Sequence, residues 1–255
     1  MSDFSACACA QRERVCATHE GEDASAIIVA GGSGERFGDP RGKQFVELAG
    51  LPLVAWSVLA FDAVASVGDI VVVCPAGRSD HMRDVLAPLR LRNEVKLAMA
   101  GATRQDSVLS GLTAASSELP LVAIHDGARP LIEPRVIERC LEAVRGNADV
   151  AGAICASRAT DTLKVVDESG MIVTTPDRSC YWCAQTPQVF RRRTIVMAHE
   201  SALLEGFVGT DDASLVEHGG GAVCVVESPR DNIKVTVPED LEIAEATMRA
   251  RMGIA

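Results

Sequence analysis

The sequence predicts an α/β fold, a mostly parallel twisted sheet with helices on both faces. Three observations carry this. Apolar runs of the kind that make strands buried on both faces stand at residues 26–29, 69–74 (DIVVVC) and 121–124. Between the first two, apolar residues recur at helical spacing through Val54, Trp56, Val58, Leu59 and Phe61. The length of 255 residues suits one α/β domain, and with 47% hydrophobic but only 4% aromatic residues the core must be mostly Val, Ile, Leu and Ala.

In chain order, residues 1–24 are polar, mixed in charge and without apolar period, and read as a disordered extension ahead of a single domain over 25–255. Cys7, Cys9 and Cys16 with His19 carry metal-ligand chemistry there, but the C-x-x-C spacing of a knuckle is missing. The first strand, 26–29, leads straight into AGGSGERFGDPRGK. Gly31, Gly32 and Gly34, with Ser33 between, let the backbone turn sharply and approach a ligand with several amides free for an anion. Arg36, Arg41 and Lys43 lie within one short loop of those amides, so a phosphate-rich ligand is the simplest partner. Two better-known glycine loops fail here. The dinucleotide fingerprint has Phe37 at its third glycine, and the Walker loop is one residue short, with Gln44 where the metal-binding hydroxyl belongs.

Residues 44–52 read as a short strand and turn, with Pro52 opening a helix over 53–63. The strand at 69–74 is closed by Pro75 and Gly77, and a helix over 79–89 and a short strand over 95–99 follow. GATRQDSV then turns into a helix over 105–116. Thr103 is placed to cap it, and Arg104 and Ser107 fall in the first turn, where free amides and the helix dipole favour an anion or a base carbonyl. The strand at 121–124 delivers HDGARP at its carboxyl end. Ligands of open parallel sheets collect outside those ends, so Asp126 and Arg129 face the same crevice as the glycine loop. Asp126 could simply cap a turn, but beside a triphosphate it is placed to hold Mg²⁺, which shares oxygen ligands with phosphates.

A helix over 134–144 and a strand over 150–156 follow, and then the character changes over 160–179. TLKVV and MIVTTP alternate around DESG, which signals a hairpin; a lone hairpin is marginal in water, so this arm is expected to pack on something such as a second subunit. The stretch 182–190 contains AQTPQVF and leads to a helix over 191–204. Thr210, in TDDA, reads as an N-cap or a ligand contact; 223–226 reads as a strand and 238–249 as the closing helix.

The formal net charge of -10 argues against broad binding to nucleic acid or an anionic membrane. A phosphate site must therefore be local, with the cations of 36–43, Arg129, Arg178 and Lys234 as candidates. The nine cysteines are odd in number, and Cys74, Cys140, Cys155 and Cys224 scatter through apolar runs as small buried hydrophobes. No apolar run reaches spanning length and the N-terminus lacks a signal-peptide core, which points to a reducing cytoplasm.

Taken together, AGGSGERFG, Lys43-Gln44, TRQDSV, HDGARP, DTLK, QTPQVF, TDDAS and DNIKVT, in this order over about 26–246, resemble the 2-C-methyl-D-erythritol 4-phosphate cytidylyltransferases. The resemblance implies a Rossmann-like fold in which a polyol phosphate attacks the α-phosphate of CTP, releasing pyrophosphate. It places the transition-state cations on Arg36 and Lys43. CTP would lie along Ala30, Gly31, Gly32, Ser33 and Gly34 and against Gly101, Arg104 and Ser107, with Asp126 on Mg²⁺. Arg178 and Lys234 would position the methylerythritol phosphate, with Asp126, Arg129, Thr162, Thr186 and Thr210 nearby. The family pattern also implies a homodimer whose arm, like 160–179 here, reaches into the neighbour. Ala102 departs from the pattern, since some members carry an acidic residue beside the cytosine there; base selection then depends more on backbone groups.

Two rivals stand beside this reading. A ribitol 5-phosphate cytidylyltransferase shares the loop and the D-x-A-R-P motif. A non-catalytic CTP-binding module needs affinity but no transition-state charge, so retention of both Arg36 and Lys43 speaks against it.

Overall fold

The computed structural model describes residues 21–32, 37–39 and 42–254. The extension as far as residue 20, with Cys7, Cys9, Cys16 and His19, lies outside the described residues, as do Ser33, Gly34, Arg36 and Arg41 of the glycine loop. β1 (Ala24–Val29) is followed by a small antiparallel pair, β2 (Glu47–Leu48) and β3 (Leu51–Pro52), and then by α1 (Leu53–Asp62). Pro52, whose ring cannot donate to a ladder, marks the junction. β4 (Val67–Cys74), α2 (Ser79–Leu86) and β5 (Val95–Met99) build one side of the sheet. α3 (Arg104–Ala114) then crosses back to β6 (Leu121–Asp126), which pairs with the other edge of β1. α4 (Pro134–Arg145) and β7 (Gly152–Arg158) come next, and a short hairpin, β8 (Val165–Val166) with β9 (Ile172–Thr174), stands apart. β10 (Trp182–Arg191), α5 (Arg192–Glu205), α6 (Asp212–His218), β11 (Val223–Glu227) and α7 (Pro238–Met252) complete the chain.

The seven-stranded sheet runs β11-β7-β10-β6-β1-β4-β5. It is parallel except for β10, which lies antiparallel between β6 and β7. The expected mostly parallel sheet with helices on both faces is therefore what forms. Adjacent residues of β1 serve opposite faces, as the pleat requires. Ile28 joins a core with Val58 and Phe61 of α1, Met82 of α2 and Ile137 of α4. Ile27 joins another with Val108 and Leu112 of α3, Ile195 of α5 and Leu215 of α6. A third cluster of Leu48, Leu53, Trp56, Leu131 and Met248 ties α7 to α1, with Trp56 Nε1 donating to the Leu48 carbonyl at 2.8 Å. Truncating a ring such as Phe61 to alanine would cost about 3–5 kcal/mol.

Several boundaries differ from the sequence reading. β1 begins at Ala24, β4 two residues early at Val67, and β6 runs on to include His125 and Asp126. β10 is a central strand that the sequence did not announce, because a proline inside a run argues against one. The fold accommodates Pro187 by a register shift between Ala184 and Gln188 against β7, while pairing with β6 starts only at Gln188. The Thr186-Pro187 peptide is cis. The expected hairpin is reduced to strands of two and three residues, and Val165, Val166, Met171, Ile172 and Val173 on it are exposed. Cys74, Cys140 and Cys155 are buried free thiols, whereas Cys224 is half-buried.

Candidate active site

The chain adds β4 and β5 on one side of β1 and returns to its other side with β6, so the strand order reverses at β1. A crevice opens at the carboxyl ends of strands where order reverses. The register sharpens this, since Val29 pairs with Val73 on one side and Asp126 on the other, and the following loops leave the sheet at one level. A cleft of ≈ 480 Å³ lies there. Its walls are Ala30, Gly31 and Gly32 after β1, the segment Gly101 to Arg104 with Ser107, the end of β6 from Asp126 to Ala128, and Lys43, Gln44 and Lys234.

Gly31 is required by close approach: a β-carbon on it would stand 2.2 Å from Cβ of Ala100. The Ala30 N–H donates to the Val73 carbonyl at 2.8 Å, which holds the loop on β4. On the facing wall Thr103 caps α3 as expected. Its hydroxyl accepts from the Asp106 N–H and its own N–H donates to the Asp106 carboxylate, both at 3.0 Å. Ser107 Oγ donates to the Thr103 carbonyl at 2.8 Å and accepts from the Gly101 N–H at 3.1 Å, fixing the turn that meets the cleft.

Among the described residues, three cations line this cleft, Lys43, Arg104 and Lys234, against the single carboxylate of Asp126, on a chain of formal net charge -10. Lys234 Nζ is 2.7 Å from Asp126 Oδ2, and Arg104 Nε is 3.3 Å from Oδ1. Burial alone would raise the Asp126 carboxyl, but Arg104, Lys234 and Arg129 outweigh it and hold the group well below the usual carboxylate range. An ionised carboxylate beside open space suits Mg²⁺, which takes one or two such ligands and completes its shell with phosphates and water. No cluster of three or more metal-ligand side chains exists among the described residues, so these residues alone offer no dedicated cage.

Beneath Asp126 lies a satisfied polar chain. The Asp126 N–H donates to Thr186 Oγ1 at 3.0 Å, the Thr186 hydroxyl then has its proton for His125 Nδ1 at 3.0 Å, and His125 Nε2 donates to the Arg129 carbonyl at 3.2 Å. Each group has its partner only if the imidazole is neutral with its proton on Nε2. Burial likewise pushes the His125 pKa down to about 4. Arg129 props the opposite side: its Nη1 donates to the Asn232 carbonyl at 2.7 Å, and burial lowers its pKa. Asn232 Nδ2 in turn donates to the Thr186 carbonyl at 3.0 Å, and the Val235 N–H to the Ala128 carbonyl at 2.8 Å. Lys43 Nζ donates to the Val235 carbonyl at 3.1 Å, so the segment carrying Lys234 also anchors Lys43.

The structure thus brings together Ala30, Gly31, Gly32, Lys43, Gly101, Arg104, Ser107, Asp126 and Lys234 in the cleft wall. Arg129 and Thr186 lie a layer below. Thr162, Arg178 and Thr210 are exposed and do not line the cleft. Arg178 sits in a short 3-10 turn after the hairpin, and its Nη1 donates to the Thr160 carbonyl. Thr210 does not cap α6. Asp211 does, accepting from the Ser214 N–H at 2.9 Å, since its side chain is the one in register with the first turn. Sequence reasoning missed Asp212, whose Oδ2 is 2.8 Å from Arg104 Nη1, and His199, whose Nε2 is 3.3 Å from Asp212 Oδ1. The doubled Asp of TDDA was the available signal for the first; a lone histidine in a helix gave none for the second.

Residues 24–250 match the family model of 2-C-methyl-D-erythritol 4-phosphate cytidylyltransferase (IspD). A 2-C-methyl-D-erythritol 4-phosphate cytidylyltransferase of Caldanaerobacter subterraneus is 40% identical over 88% of the chain and 98% of its own length. One of Nostoc is 39% identical over 88% of the chain and 97% of its own. Among solved structures, a 4-diphosphocytidyl-2C-methyl-D-erythritol synthase of Anaerococcus prevotii superposes with TM-score 0.80 at 28% identity, covering 89% of this chain and 96% of that one. The 2-C-methyl-D-erythritol 4-phosphate cytidylyltransferase of Thermus thermophilus does so with TM-score 0.72 at 32% identity, covering 89% and 99%.

Proposed function

We propose how the cleft works from the premise that the chain belongs to the 2-C-methyl-D-erythritol 4-phosphate cytidylyltransferase family. It transfers CMP from CTP to 2-C-methyl-D-erythritol 4-phosphate, giving 4-diphosphocytidyl-2-C-methyl-D-erythritol and pyrophosphate in non-mevalonate isoprenoid precursor synthesis. The observation that carries the assignment of the site is the convergence of Arg104 and Lys234 on Asp126, with Lys43 in the same cleft wall, at the carboxyl ends of β1 and β6.

A phosphate oxygen of the acceptor attacks the α-phosphorus of CTP. One phosphorus–oxygen bond forms, the bond to the bridging oxygen of the β-phosphate breaks, and pyrophosphate leaves with that electron pair. The acceptor is already an anion, so alignment and positive charge matter more than a strong base. In this reading Lys43 and Arg36, the latter outside the described residues, supply charge as the phosphorus becomes five-coordinate. The triphosphate follows the backbone of Ala30 to Gly32, the base meets Gly101, Arg104 and Ser107, and Lys234 takes the acceptor phosphate. Asp126 would hold Mg²⁺, which when bound neutralises and aligns the phosphates. Thr186 and His125 keep Asp126 at its post, and Arg129 does the same for the segment bearing Lys234.

The working unit is read as a homodimer. A hairpin of two short strands is not stable by itself, and the exposed Val165, Val166, Met171, Ile172 and Val173 call for cover by a second copy. In that arrangement Arg178 and Thr162 belong to the neighbour's cleft. The buried free thiols suit a reducing cytoplasm.

The test is a phosphorus NMR assay of purified protein with CTP, Mg²⁺ and either methylerythritol phosphate or ribitol 5-phosphate. Pyrophosphate and a cytidine diphosphate product are expected with the first acceptor. Faster turnover of ribitol phosphate overturns the substrate, CTP binding without turnover of either overturns the catalysis, and activity indifferent to EDTA overturns the metal.

A further inference from the structure

Behind the cleft wall lies a buried carboxylate to which the reaction above gives no task. Asp212, the first residue of α6, has a side chain only 1% exposed, and its side-chain neighbours include Arg104 Nη1 at 2.8 Å from Oδ2 and His199 Nε2 at 3.3 Å from Oδ1. A carboxylate taken out of water is costly unless paired, and a helix can start with an uncharged residue at this position. Asp212 is also held firmly. Its N–H and that of Ala213 donate to Gln188 Oε1 on β10, each at 3.1 Å, and Gln188 Nε2 donates to Asp211 Oδ2 at 2.7 Å. The backbone that carries the Asp212 carboxylate is thereby fixed to the sheet.

Arg104, by contrast, is a long side chain with a second carboxylate within reach. It meets Asp126 through Nε alone, at 3.3 Å. A guanidinium beside one carboxylate tends to engage it with two parallel nitrogens. Left with Asp126 only, Arg104 would fold onto it and withdraw from the wall. We propose that Asp212, braced by His199, is a positioning residue for the transfer reaction: it draws Nη1 of Arg104 away from Asp126 and keeps the guanidinium spread along the cleft, where it meets the nucleotide. This rests on the reading of the cleft as the CTP site. Bulk charge predicts the opposite sign, because removing a carboxylate near three cations should tighten an anionic ligand. The direction of the change therefore separates the two roles.

The experiment is calorimetric CTP binding in the presence of Mg²⁺, with KM for both substrates, on the full chain and its Asp212→Asn, Arg104→Ala and doubly substituted forms. Asp212→Asn is expected to weaken CTP about tenfold, the scale of one charge-assisted contact, and to leave KM for the acceptor within about twofold. In the Arg104→Ala background the same change is expected to do nothing further. His199→Phe removes the brace but keeps the carboxylate, and is expected to weaken CTP about threefold, again only while Arg104 is present. It decides the matter if Asp212→Asn does not fold. Unchanged or tighter CTP binding, or an effect that persists undiminished without Arg104, overturns the proposal. If Arg104→Ala itself leaves CTP affinity intact, the reading of the cleft fails instead, and the inference falls with it.

Discussion

Acid should destabilise this protein through one buried imidazole. His125 is wholly buried between Thr186 and the Arg129 carbonyl, and its pKa is pushed down from 6.5 to about 4. The unfolded chain takes up a proton on this ring near 6.5, whereas the folded chain resists until about 4. The contribution is therefore complete above the unfolded value and is lost as pH falls toward the folded one. Acidification from about pH 7 to about 4.5 should remove about 2.5 kcal/mol through this group alone, a visible fraction of the 5–15 kcal/mol typical of a folded domain. His125→Gln keeps a polar side chain but cannot titrate. Urea unfolding of both proteins across that range gives the test, since the background loss from other groups is common to the pair. The gap in stability between wild type and variant should shrink by the stated amount as pH falls. A gap that stays constant would refute the assignment of a neutral, proton-resisting His125.

Three further outcomes are expected. Lys43→Ala should lower single-turnover rate by about 100–1000-fold while CTP affinity measured by calorimetry changes by no more than about threefold; an equal loss in both contradicts a transition-state role. Gly31→Ala must move the β1 loop off Ala100 Cβ, which an added methyl would approach to 2.2 Å, whereas Gly32→Ala meets nothing within 4 Å among the described residues. The first should cost about 1–3 kcal/mol in denaturant unfolding and the second far less, and similar losses would count against the close-approach argument. Arg178→Ala should raise KM for the acceptor about tenfold, and co-expression with Lys43→Ala should restore sites of normal turnover, because a mixed dimer has one site with both lesions and one with neither. No restoration would mean that Arg178 serves its own chain or none.

The sheet and the floor of the cleft were legible because their signals are local. A buried run such as IVVVC has one comfortable conformation, Thr103 and Asp106 carry their cap in four residues, and Gly31 announces a place where two backbones nearly touch. β10 was not legible, since Pro187 reads as a break until the register shift beside it is seen. Arg178 was named from charge and, with Thr162, from a family pattern, and nothing local tells whether such residues reach a cleft or leave it. Asp212 was hidden by its neighbour: either aspartate of the pair could cap a helix, and only the turn geometry assigns Asp211 to that task and turns Asp212 inward. His199 becomes informative only when α5 and α6 are packed together.

The reversed course of β10 has a further consequence. Trp182 at its start lies opposite Arg158 at the end of β7, so the excursion between them departs and returns at the rim of the sheet that bears the cleft. Had this strand run with its neighbours, the insertion would have had to cross to the opposite end of the sheet before the strand could begin. Anything that holds the two ends of this excursion therefore holds them on the cleft side of the sheet.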